Sequence, residues 1–279
     1  MMKKRTCSSL LAAGVVLCGV TTADARLSAN RLSANRLSAF SAKANSAAAS
    51  KLAASKLAIE QLGPHEYAVD PEAAGDLLAT PEGREVLSFI VSCALPDGVT
   101  LLATAPDGTL LEFFGELGLA SEWLDHPLRE AGRGWVSACL FARVNDNTVA
   151  LPLSMRGPNQ TLAATPEEAA AWSLEEGAFY GDYFVAPGEP VSWIACRGQD
   201  QALAETGGLI ERDCAEPDPA DPTRTQCGFT YAGDCGDFAL ENACKHFSPH
   251  DFYRNCHDRP IGDPDAKAFR EVITVFVVP

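Results

Sequence analysis

Nowhere does this 279-residue chain hold the roughly 20 consecutive apolar residues that a helix needs to cross a bilayer. The apolar run from Leu10 to Val20 falls well short, so no transmembrane segment is expected. Basic side chains are scarce, with 22 Lys and Arg against 37 Asp and Glu. From residue 63 onward the count is 13 against 35, a formal charge of −22. A surface of that sign repels phosphate, which excludes nucleic acid as a partner. The local signatures of several chemistries are missing too. There is no Gly-x-Ser-x-Gly elbow, no His-Glu-x-x-His, no phosphate-binding Gly-x-x-x-x-Gly-Lys and no dinucleotide fingerprint. Gly115-Glu116-Leu117-Gly118 lacks the third glycine that such a fingerprint needs. No cofactor is expected, and histidine is limited to His65, His126, His246, His250 and His257.

What is present begins with an export signal. A basic Met2-Lys3-Lys4-Arg5 precedes the apolar run, and Ala23-Asp24-Ala25 offers a small-x-small cleavage site, so residues 1–25 are read as a signal peptide. Lipid attachment through Cys18 is the weaker reading, because Leu17 stands where that modification wants a small side chain. The protein is therefore expected to be secreted, periplasmic or held at the cell surface. Cleavage removes Cys7 and Cys18 and leaves eight cysteines, an even number in a chain bound for an oxidising compartment: Cys93, Cys139, Cys196, Cys214, Cys227, Cys235, Cys244 and Cys256. Four disulfides are expected, each stabilising the fold by about 2–4 kcal/mol.

Residues 26–62 form a low-complexity basic tract with a formal charge of +5. Arg26-Leu27-Ser28-Ala29-Asn30 is repeated at 31–35, and Leu27, Leu32, Leu37, Leu52, Leu57 and Leu62 keep a five-residue register. Five residues of helix turn 500°, so these leucines make no stripe, and the tract is too short for a stacked repeat coil. It is read as a solvated linker, with a helix from about Ser46 to Leu62, stopped at Gly63-Pro64, as the ordered alternative.

The acidic remainder, 63–279, is read as a single disulfide-stapled globular domain of α+β class. Its N-terminal half is helical with a hairpin, and its C-terminal third is rich in strand and loop. Thr80-Pro81-Glu82 and Thr165-Pro166-Glu167-Glu168 each combine a cap, a proline at the first helical position and first-turn acids. The second of these helices is expected to run through Leu174 and end at Gly177. Between them stand a hairpin, Val99 to Ala105 and Leu110 to Phe114 across Pro106-Asp107-Gly108, and a helix from about Gly134 to Asp146. Thr148 to Met155 is expected as an edge strand because Pro152 lacks a donor. Val191 to Cys196, Leu209 to Cys214, Gln226 to Tyr231 and Glu271 to Val278 complete the strands.

Six cysteines lie between 196 and 256 in irregular spacings, among turns that leave little apolar material for a core. If those six pair among themselves, parity leaves Cys93 and Cys139, both on apolar helix faces, to each other. Cys196 to Cys214 is expected across a hairpin, with the pairing of the other four open. Candidate chemistry is sparse. His246 and His250, beside Cys244, Asp251 and Cys256, have a zinc-like spacing, but Pro249 breaks the helix it requires and the cysteines are better used as disulfides. Ser137 or Ser248 with His250 is a nucleophile pair that nothing local orients. Glu167-Glu168, Glu175-Glu176, the loop of Asp213, Glu216, Asp218 and Asp221, and Asp234 with Asp237 are the carboxylate groupings. Trp172, Phe179, Tyr180, Tyr183, Phe184 and Trp193 are either a core cluster or an exposed stacking platform.

The export signal, the Ala170-to-Gly181 segment and the Cys196-to-Cys256 block together resemble a group of uncharacterised secreted bacterial proteins that carry short leucine-centred repeats after the signal. The resemblance implies export and brings no activity or site residue with it. The chain is expected to act by binding or as an envelope or extracellular structural component, with an envelope polysaccharide or another protein as candidate partner. The alternative is an extracellular hydrolase acting on glycan or peptide through carboxylates and His250.

Overall fold

Caps and turn residues start many of the elements. The computed structural model describes residues 33–34, 37–146, 150–186, 188–200, 212, 214, 217–236, 242–247 and 252–279. The first half runs through β1 (Ser33–Ala34), α1 (Ala39–Ala53), β2 (Ala58–Gly63), β3 (Glu66–Val69), α2 (Pro71–Leu78), α3 (Pro81–Ala94), β4 (Thr100–Thr104), β5 (Leu110–Phe114) and α4 (Glu130–Ala142). Then follow β6 (Leu151–Arg156), α5 (Pro166–Ala171), β7 (Leu174–Asp182), β8 (Ser192–Arg197), β9 (Pro217–Asp218), β10 (Asp221–Thr225) and β11 (Thr230–Asp234). The last strands are β12 (Lys245–Phe247), β13 (Phe252–Arg254), β14 (Cys256–His257), β15 (Ala268–Phe269) and β16 (Ile273–Val277).

The fold is mixed α+β, as the sequence indicates. Thr80 Oγ1 accepts from the Gly83 N–H at 3.0 Å, and Thr165 Oγ1 accepts from the Glu168 N–H at 3.2 Å, so both proline-led helices start at their expected caps. An eight-stranded sheet has the order β1-β6-β16-β7-β8-β11-β10-β9, and a four-stranded sheet the order β2-β3-β4-β5. The helices lie between them: α4 crosses β7 and β16 of the large sheet, α3 packs on α4 and on β5, and α1 and α2 close the helical layer. The main core fills this sandwich, with Trp123, Phe141, Phe179, Trp193 and Phe229 among its large side chains. A smaller second core covers the opposite face of the large sheet, where Tyr180, Ile194 and Val272 meet Tyr253 and four cysteines.

β7 serves both cores by its pleat and carries a bulge at Glu176. Val275 pairs with Gly177 and Phe276 with Glu175, so Glu176 is skipped in the register. Gly181 permits close contact with β8. Its φ is +134°, and a Cβ there would overlap the Ser192 carbonyl oxygen.

Four disulfides join Cys93 to Cys139, Cys196 to Cys235, Cys214 to Cys227 and Cys244 to Cys256. The Cys93–Cys139 pair, inferred from parity and facing, staples α3 to α4. The expected Cys196–Cys214 bridge is incorrect. β8 and β11 are parallel neighbours, with Arg197 opposite Asp234, and this brings Cys196 to Cys235 instead. Parallel pairing needs a crossover, which a local hairpin argument does not anticipate.

Several boundaries also differ. The tract 26–62, read as a linker, belongs to the packed structure from Leu37 onward: Leu37, Leu52 and Leu57 are buried in the main core, and α1 is capped by Ser38. Gly63-Pro64 lies at the turn between β2 and β3 rather than at a helix end. The helix expected over 134–146 runs instead from Glu130 to Ala142. The helix from Pro166 ends at Ala171, and Gly177 lies inside β7, whose residues are buried on both faces. β6 is flanked by β16 and by the two-residue β1, with Pro152 opposite Ser33, so its proline sits beside a very short outer strand. The strand expected over Leu209 to Cys214 falls largely outside the described residues, as do the signal peptide and Cys18.

Candidate functional site

The charged groups suggested by sequence proximity are mostly consumed by structure. Glu175 and Glu176 point to opposite sides of the large sheet. Glu175 Oε1 accepts from Tyr253 Oη at 2.5 Å and from the Gln199 N–H at 2.8 Å. Glu176 receives the guanidinium of Arg212 in a two-pronged ion pair at 2.5 and 2.6 Å. Glu168 accepts from Ser154 at 2.8 Å, while Glu167 is exposed. Asp234 is held by Arg197 at 2.6 Å. Asp221 accepts from the N–H and hydroxyl of Thr223, and these bonds lower its pKa. Ser137 is buried and accepts from the Tyr183 N–H at 2.9 Å, which occupies it structurally. Ser248, His250, Asp251, Asp213, Glu216 and Asp237 lie outside the described residues.

His65 stands at positive φ in the β2–β3 turn, and both it and His126 are exposed. His257 is half-buried, with Nδ1 3.3 Å from the Ala243 carbonyl, and its own carbonyl accepts from Tyr180 Oη at 2.6 Å. The sulfurs of Cys196, Cys235 and Cys244 lie within 4.8 Å of one another, yet each is committed to a disulfide. The cluster is two bridges in contact, with Cys196 and Cys244 Sγ atoms 3.4 Å apart.

The aromatic group is core. Phe179, Tyr180, Tyr183, Phe184 and Trp193 are each at most 3% exposed, and only Trp172 is half-buried. Tyr183 stacks edge-on with Phe141 and Phe184, and its hydroxyl donates to the Ala42 carbonyl at 2.8 Å. Burial raises the Tyr183 phenol pKa beyond its usual range. The stacking-platform reading therefore falls.

A different arrangement forms a cleft of about 520 Å³ where the first turn of α4, the end of β7 and the segment leading into β16 converge. Glu130, Arg133, Asp182, Lys267, Arg270 and Glu271 ring it. Gly134 lets the Glu271 side chain lie against α4, because a Cβ there would come within 2.9 Å of it. Lys267 Nζ sits 5.2 Å over the Phe269 ring, which in turn packs 5.5 Å from Tyr180. Glu130 stands in the first turn of α4, where no side chain caps the helix, so its charge favours the exposed N–H groups. Burial raises the Glu271 pKa above its ordinary value, the neighbouring Glu130 charge adds to this, and Arg270 partly opposes it.

That shift carries a sign. A carboxyl whose folded pKa exceeds its unfolded one binds its proton more tightly when folded, so stability falls as pH rises from the ordinary carboxylate range through the folded pKa. Glu271→Gln is therefore expected to raise the melting temperature at neutral pH, to leave it nearly unchanged in acid, and to flatten the profile between. A melting series against pH checks this, and an unaltered slope in the variant would contradict it.

None of the six ringing side chains was legible as a site, because three separate segments supply them. The weak signal was Arg270-Glu271, charged residues just before an apolar terminal strand. No family model, no curated protein and no solved structure matches this chain.

Proposed function

We propose that the protein is an exported, disulfide-stapled binding protein, and that the polar cleft at the start of α4 holds a hydrophilic extracytoplasmic ligand, a glycan or peptide segment. Export rests on the signal-like residues 1–25, and four buried disulfides fit an oxidising compartment. Among the described residues no helix is long and apolar enough to cross a membrane. The observation that carries the binding reading is the cleft itself. Three cations and three carboxylates surround a volume within the range of ligand sites and offer both donors and acceptors to a polar chain.

A second reading, hydrolysis of that ligand, has one specific observation in its favour. Burial raises the Glu271 pKa, with the Glu130 charge a smaller contribution in the same direction, and that is the direction in which a general acid is tuned. One experiment separates the two. Soluble amino-sugar and uronic-acid oligosaccharides and charged tetrapeptides are titrated calorimetrically against the full-length protein and the Arg133→Gln, Asp182→Asn and Glu271→Gln variants, and the mixtures are then analysed by mass spectrometry. Saturable heat that the variants lose, without cleavage products, supports binding. Products that disappear in Glu271→Gln support hydrolysis. Binding that none of the three variants weakens would remove the cleft from consideration.

A further inference from the structure

The four-stranded sheet ends at β5, and among the described residues β4 is its single strand partner. The Gly115 N–H donates to the Val99 carbonyl, and the Ala105 N–H donates to the Thr109 carbonyl. The odd-numbered residues of this strand therefore bond to β4. By the alternation of an antiparallel ladder, the N–H and C=O groups of Leu110, Glu112 and Phe114 face away from it. Their side chains share the outer face of the sheet. Leu110 is 81% and Phe114 59% exposed, with exposed Glu112 between them.

Beside this edge lies a depression of about 150 Å³, bounded by Ser88, Phe89 and Ser92 of α3, by β5, and by Glu116 and Arg143. Arg143 is 1% exposed. It donates to Ser92 Oγ at 2.6 Å and to Glu116 at 2.7 Å, while its Nε is a buried donor with no acceptor. The Glu116 side chain remains about one-third exposed. The hollow is large enough for one side chain, and Glu112 and Glu116 outweigh Arg143 in charge.

We propose that the β5 edge and this depression form a docking site for an extended cationic peptide, which adds as a fifth strand with an apolar–basic–apolar triplet opposite Leu110, Glu112 and Phe114. A basic inward side chain of that strand then seats in the hollow against Glu116. Main-chain bonding to the edge supplies affinity, and alternate side chains supply selectivity. A second copy of the chain is the poorer occupant. Two β5 edges paired in full overlap about a two-fold axis centred on the strand would set Glu112 against Glu112, and like charges directly opposite are destabilising, here between two strongly acidic bodies. A basic strand meets that same glutamate with the complementary sign.

The test uses the oxidised full-length protein and a fluorescently labelled, blocked seven-residue peptide. Valine occupies its second and sixth positions, lysine its fourth, arginine its third and serine the rest. Anisotropy titration is expected to show binding that weakens about fivefold or more when the lysine is replaced by glutamate. In Glu112→Lys the preference is expected to invert. In Glu112→Pro, which removes an outward N–H without touching the bonds to β4, binding of both peptides is expected to vanish while the melting temperature stays near that of the parent. Replacing the peptide's arginine with norleucine is expected to cost severalfold. The proposal is overturned if the lysine peptide does not bind at millimolar concentration, or if binding ignores the charge and proline changes. It is equally overturned if light scattering shows a dimer that Glu112→Pro dissolves, since the edge would then serve a second copy.

Discussion

Replacing Arg212 with methionine is expected to destabilise the protein by about 3–5 kcal/mol, the cost of removing one member of a buried ion pair. Arg212 is fully buried, and all three of its guanidinium nitrogens are used. Two grip Glu176, and the third donates to the carbonyls of Ala142 and Val144 at 2.6 and 3.0 Å. Those carbonyls lie where α4 ends, so this one side chain ties the C-terminus of α4 to the bulge of β7. The guanidinium also lies 4.8 Å over the Phe179 ring. Methionine fills part of the volume but leaves a buried carboxylate without its cation and two carbonyls without a donor. Arg212→Lys keeps the charge and loses the fork, so an intermediate cost is expected. Adding Glu176→Met to Arg212→Met is expected to recover much of the loss, because no buried charge then remains unpaired. Urea denaturation under oxidising conditions reads all three. A parent-like midpoint for Arg212→Met would show that water reaches Glu176 and that the pair is not the anchor described.

Removing the Cys93–Cys139 bridge by double substitution to alanine is expected to cost about 4 kcal/mol, and removing Cys244–Cys256 about 3 kcal/mol, on the chain-entropy estimate. The first closes a separation of 46 residues and the second one of 12. The first also joins α3 to α4 inside the main core, so the alanine variant adds a small void to the entropic loss. Against a total stability of some 5–15 kcal/mol, either change is large. Thermal melts of the two variants give the order. If the short bridge proves the costlier, the second core depends on it for enthalpic packing, and loop closure is not the governing term.

How much of this was legible in the sequence depends on how local each cause is. The caps at Thr80 and Thr165 and the turn at Pro106-Asp107-Gly108 act within four residues, and the structure has them as expected. Asp70-Pro71-Glu72, the cap of α2, carries the same signature and is equally local. The Cys93–Cys139 pairing was accessible because parity and helix facing are both readable from spacing. Cys196–Cys235 was not, because it depends on β8 and β11 lying side by side after a crossover, and no local pattern records that adjacency. The expectation for Trp172 to Gly177, helix and its stop, failed for a related reason, while Phe179 to Asp182 form strand as their aromatic character suggests. Helix formers and a capping signature lead into the first of these stretches, but its later residues are buried on both faces by a helix and by the stapled segment, and tertiary burial overrides propensity there. The acidic pairs show the same limit. Glu175-Glu176 looked like a unit in sequence, whereas the pleat of β7 sends neighbouring side chains to opposite faces and each carboxylate to its own partner.

The residue skipped in the register of β7 also constrains how the chain can change. Side chains before and after Glu176 obey opposite parities: Glu175 shares its face with Ala178 and Tyr180, although an unbroken pleat would align it with Gly177 and Phe179. Deleting Glu176 would restore the regular alternation with Glu175 still on the face of Ala178 and Tyr180, and the loss would fall on the buried Arg212 guanidinium, left without its carboxylate. The extra residue thus serves the ion pair and not the facing of the strand: it adds a carboxylate on the α4 side while the pleat on either flank keeps its orientation.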